Sequence, residues 1–70
     1  MKYIVFETNL KKDESYDNST DEYNSFVEAL EHFNDWCGHG FIGSCMVIDT
    51  ESDVIIRQCI STYDAKFYLK

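Results

Sequence analysis

Asp17, Ser19, Asp21 and Glu28 stand at positions 1, 3, 5 and 12 of a calcium loop of the EF-hand kind, with oxygen donors where a hard cation takes them. The rest of that pattern is missing. Glu22 occupies the place where the sharp turn needs glycine, and a polar segment rather than a helix leads into the loop. The expected reading is a solvated acidic segment whose Glu28 caps a helix.

Soft-metal binding would draw on Cys37, His39, Cys45 and Cys59, but they contain no C-x-x-C pair and fit no usual zinc framework. Cys37 with His39 or His32 would make a thiolate and base, yet Cys37 falls near a helix C-terminus, whose negative dipole end disfavours a thiolate. A packed cysteine is expected there. Glu28, Glu31 and Asp35 share a helical face and suggest paired-carboxylate acid–base chemistry. Without a cleft or an apolar wall to raise one pKa, all three stay ionised. His32, one turn from Glu28, is expected to pair with it at the surface. No nucleophile, base and orienting group converge, so no catalytic residue, metal ligand or cofactor is assigned and the chain is read as non-enzymatic.

The strongest signal is electrostatic. From Asp13 to Asp35 the chain carries Asp13, Glu14, Asp17, Asp21, Glu22, Glu28, Glu31 and Asp35, with no lysine or arginine among them. Net charge is −7 over 70 residues, so phosphate backbones and anionic membranes repel this protein while basic protein surfaces attract it. Tyr16 and Tyr23 lie within the acidic run where no core periodicity requires them, and tyrosine is a common interface anchor. Acid interleaved with tyrosine suits a surface rich in arginine and lysine, through charge and guanidinium stacking. Tyr16, Asp17, Asp21, Glu22, Tyr23, Glu28, Glu31 and Asp35 are therefore the candidate partner-binding residues.

The elements that must position them follow from periodicity. Residues 2–8 (KYIVFET) read as a strand with Ile4 and Phe6 on one face, and the polar stretch from about 9 to 23 reads as a loop. Ser25 and Glu28 form a capping box, after which Phe26, Leu30, Phe33 and Cys37 recur at helical spacing, with Trp36 at the edge of the stripe. Glu28, Glu31, His32 and Asp35 line the opposite side. Gly38 is placed to end the helix in a left-handed conformation. Residues 44–50 and 54–60 read as a hairpin turning at ESD, and one register puts Met46 and Ile48 against Val54 and Ile56 on the buried face. Residues 63–69 suggest a last strand, with a short helix as the competing reading. The expected fold is a single α+β domain over 1–70: an antiparallel sheet of three to four strands in β-α-β-β-β order, with one helix on one face.

At this size the core supplies a margin of only roughly 3–5 kcal/mol. The odd count of three cysteines and the opening MKYIVFET, which lacks a secretory pattern, suggest a reducing, cytoplasmic setting. No apolar stretch approaches the roughly 20 residues that span a bilayer.

The strand MKYIVFE, the polar stretch, the helix SFVEALEHF, the His39-Gly40 turn and the hairpin around MVIDTESDVII together resemble small phage-encoded proteins of the anti-CRISPR type. The likeness covers most of the chain and rests on layout and size. It implies a non-enzymatic inhibitor, in the host cytoplasm, that occupies a basic nucleic-acid-binding surface of a defence protein or complex. It departs from members that use lysines against their target, and no residue role is carried over from them. A second reading is a general interaction domain that homodimerises through a sheet face left open by the single helix, using Cys45, Val47, Ile55 and Cys59.

Overall fold

A computed structural model describes residues 2–62 and 66–68. The chain runs through β1 (Tyr3–Leu10), β2 (Tyr16–Tyr23), α1 (Phe26–Gly38), β3 (Gly43–Asp49), β4 (Val54–Ser61) and β5 (Lys66–Tyr68). The strands form one antiparallel sheet in the order β2-β1-β3-β4-β5, and α1 lies across one face. This is the expected α+β class, with one strand more than the sequence reading allowed. The remainder of the suggested strand over 63–69 lies outside the described residues.

The extra strand is β2, in the segment read as a loop. It pairs with β1 along its whole length, from Tyr3 opposite Tyr23 to Leu10 opposite Tyr16. A tight turn sets this register: Lys11 N–H donates to Ser15 O (2.8 Å), and Asp13 Oδ1 accepts from Ser15 N (3.1 Å) and Ser15 Oγ (2.6 Å). Glu14 takes the left-handed conformation that the reversal requires (φ 69°). Because β2 is an edge strand exposed from Tyr16 to Glu22, it needs no apolar alternation, and its ladder to β1 is the main tie that orders it.

Ser25 caps the helix as expected, and the Glu28 carboxylate meets the Ser25 hydroxyl. Glu28 N–H donates to Ser25 Oγ (3.1 Å), and Ser25 Oγ donates to Glu28 Oε1 (3.2 Å). The stop differs: His39 is the C-cap, in a right-handed conformation, and the left-handed turn comes at Gly40 (φ 73°) rather than Gly38. The buried face of α1 is Ala29, Phe33, Trp36 and Cys37, so Trp36 belongs to the core and not its edge. These side chains pack on Val5, Cys45, Val47 and Cys59 of the sheet. Small residues beneath large ones let the helix sit close to the strands.

That packing inverts the expected hairpin register. Cys45 lies opposite Cys59 and Val47 opposite Arg57, all on the helix side, while Met46 and Ile48 belong to the other face. Both faces of β3 and β4 carry apolar residues, so alternation alone did not choose between them. A β-bulge between Val47 and Ile48 shifts the pairing, and Val54 and Ile55 end up exposed. The sheet face away from α1 presents Ile4, Phe6, Met46, Ile48 and Ile60, each partly exposed.

Candidate functional site

Alternation along β1 sends Val5, Glu7 and Asn9 toward the helix, and the same parity on β2 sends Asp17, Ser19, Asp21 and Tyr23 there too. Along α1, His32 precedes the buried Phe33 and turns toward β1 and β2. The result is a polar cluster at the helix–sheet boundary. His32 Nε2 bonds Glu7 Oε2, and His32 Nδ1 lies 2.7 Å from the Tyr23 hydroxyl and 3.7 Å from Asp21 Oδ2. The Tyr23 and His32 rings meet edge to face, centroids 5.7 Å apart.

The cluster continues inward. Glu7 Oε1 accepts from Asn9 Nδ2 (3.0 Å), and Asn9 Oδ1 accepts from Trp36 Nε1 (2.7 Å). Both carboxylate oxygens of Glu7 are thereby engaged, and its side chain is only 15% exposed, against 17% for His32. Burial, then the charges of Asp21, Glu28 and Glu7, raise the Tyr23 pKa above its usual 10.0. The phenol therefore stays protonated and able to donate. His32 does not pair with Glu28 at the surface as expected, because the sheet offers it a carboxylate and a phenol in a drier setting.

Toward solvent, Tyr23, Glu28, Glu31, His32 and Asp35 line an open groove of about 580 Å³. Asp17 and Asp21 of β2 lie on the helix side of the sheet, so strand and helix contribute carboxylates to the same face. Of the candidate residues, Asp17, Asp21, Tyr23, Glu28, Glu31 and Asp35 share this face. Glu22 and Tyr16 do not: their parity on β2 turns them to the opposite face, where Tyr16 lies opposite Leu10 and is 59% exposed. The two tyrosines thus stand on different faces, Tyr23 half-buried and Tyr16 in the open.

The calcium loop does not assemble. Asp17, Ser19 and Asp21 are strung along an extended strand rather than wrapped around a centre, and Glu28 bonds Ser25. Cys37, Cys45 and Cys59 are buried, and burial followed by the neighbouring Glu7 charge pushes Cys45 up to about 12. They are packing residues, with His39 outside on the surface, stacked on Phe41 and 2.7 Å from Asp35 O through Nδ1.

Sequence reasoning missed Glu7 and Asn9. Their signal was parity: polar residues at positions of β1 that share a face with Val5 must find polar partners once that face is covered.

The fold and site define a small α+β protein with a single helix on an antiparallel sheet and a strongly acidic helix-side surface. No family model matches the chain, and neither a curated protein nor a solved structure matches it. No helix among the described residues is long and apolar enough to cross a membrane.

Proposed function

We propose that this is a small non-enzymatic binding protein, of the phage anti-CRISPR inhibitor type, that occupies a basic nucleic-acid-binding surface of a defence protein in the host cytoplasm. The observation that supports this most is the union of two acidic elements on one face: Asp17 and Asp21 from β2, and Glu28, Glu31 and Asp35 from α1. Held on a strand and a helix, these carboxylates present negative charge from two regular elements of one face, as a nucleic acid does from its backbone. Charge of this kind acts chiefly on the association rate and weakens as salt rises. Tyr23 at the rim of the groove supplies a ring for guanidinium stacking, and Tyr16 and Glu22 contact a partner that wraps around the β2 edge.

Affinity capture from a bacterial lysate at low and moderate salt tests the reading, with E28Q/E31Q/D35N alongside the unaltered protein. A basic nucleic-acid-binding protein should be retained at low salt, released at moderate salt, and lost in the variant. Equal capture by the variant sinks the proposal.

A second reading is favoured by the uncovered sheet face. Cys45, Val47 and Cys59 cannot serve it, since α1 covers them; a homodimer would use Ile4, Phe6, Met46, Ile48 and Ile60 instead. A groove of about 420 Å³ lined in part by Leu10, Tyr16, Ile42 and Ile60 extends the apolar region at one end. A dimer mass in solution that does not change with salt supports this reading over the first.

A further inference from the structure

We infer that Glu7, Asp21 and His32 form a binding site for a divalent cation of the zinc class, which fastens α1 to the β1–β2 hairpin. Each offers one ligand atom, and the three atoms lie within 4.8 Å of one another. They come from three elements, β1, β2 and α1, so the convergence is a property of the tertiary fold and not of a local acidic run. Imidazole together with carboxylate oxygens is a donor set that zinc accepts.

The charges around the site want a cation. Among the described residues neither Glu7 nor Asp21 ion-pairs with a lysine or arginine, and both carboxylates face a single imidazole. Donors around a tetrahedral zinc at about 2.1 Å stand about 3.4 Å apart, within the span that already holds these three. Side-chain rotation therefore suffices to admit the ion. With zinc on His32 Nε2, the imidazole proton resides on Nδ1 and is donated to the Tyr23 oxygen, 2.7 Å away. Asn9 Nδ2 holds the second oxygen of Glu7, and Trp36 holds Asn9, so the most buried ligand has its orientation set from behind. Asp21 Oδ2 lies nearest His32 Nδ1 (3.7 Å), and with 53% of its side chain exposed it is free to swing toward Nε2 to complete the site.

The test uses the full chain, stripped with chelator and titrated with zinc, followed by calorimetry and thermal melting, with cobalt as a spectroscopic substitute. One zinc per chain, a raised melting temperature and a cobalt spectrum of nitrogen and oxygen ligation are expected. D21N, at an exposed position, should melt normally in chelator yet bind at least tenfold more weakly, and H32Q should abolish binding. H39Q should bind as the unaltered protein does. Absence of stoichiometric binding, retained affinity in D21N, loss of binding in H39Q, or a cobalt–thiolate charge-transfer band would each overturn the assignment.

Discussion

The imidazole of His32 on α1 meets the carboxylate of Glu7 on β1 across the helix–sheet boundary, 25 residues away in the chain. Each side chain has a further partner: Tyr23 on the far side of the imidazole, Asn9 and then Trp36 behind the carboxylate. The contact thus sits in the middle of a polar chain that joins β2, α1 and β1 beside an otherwise apolar core.

Breaking that chain at one point leaves the opposite partner desolvated and unpaired. H32L should therefore destabilise the protein by about 2 kcal/mol, measured by urea denaturation in chelator. E7Q keeps a hydrogen-bonding end of the same shape and should cost less. A double-mutant cycle between the two positions should return a coupling of about 1 kcal/mol or more; additive effects would show that the contact contributes nothing to folding.

Gly43 begins β3 with φ of 143°, and a Cβ placed on it would stand 1.8 Å from the backbone oxygen of Thr8. Neither the left-handed conformation nor the approach of two main chains admits a side chain. G43A should cost about 3 kcal/mol, comparable to the whole margin of a domain this small. Loss of a cooperative thermal transition is the expected result, and a melting temperature near the original would refute the close packing of β1 on β3.

Cys45 links alkaline pH to stability. Burial first, and the Glu7 charge second, raise its thiol from 9.0 to about 12 in the folded protein. In the unfolded chain it ionises near 9.0, so above that pH the unfolded state has lost a proton that the folded state still holds. The contribution is complete below pH 9.0 and disappears as pH rises through about 12. Urea midpoints should fall from about pH 9 upward, and C45A, though weaker at neutral pH, should show a shallower decline. An equal slope in both proteins would contradict the assignment. The same shift keeps Cys45 from reacting with thiol reagents unless the protein opens.

How much of this was legible follows from which residues had to choose. The helix announced itself, because Ser25 and Glu28 cap it and Phe26, Leu30 and Phe33 recur on a single period. β1 was equally plain from its β-branched and aromatic residues. β2 was hidden, since an edge strand with both faces wet has no apolar rhythm to display; Tyr16 and Tyr23 mark its ends, but only the turn bonds of Asp13 and Ser15 betray the reversal. The hairpin register was ambiguous for the opposite reason, as Cys45, Val47 and Cys59 on one face and Met46, Ile48 and Ile60 on the other are all apolar. Helix packing decided it in favour of the smaller set. The acidic surface could be read from composition, whereas the meeting of Glu7 with His32 depends on a helix crossing above a strand that no local pattern specifies.

β1 lies between β2 and β3 in the sheet, with Val5 opposite Asp21 on one side and opposite Val47 on the other. The first pairing closes through a short turn; the second waits until the helix and the start of the following hairpin exist. Two hairpins, β1–β2 and β3–β4, thus meet along β1 with α1 over the seam, and the long-range β1–β3 pairing is the one whose closure costs the most chain entropy.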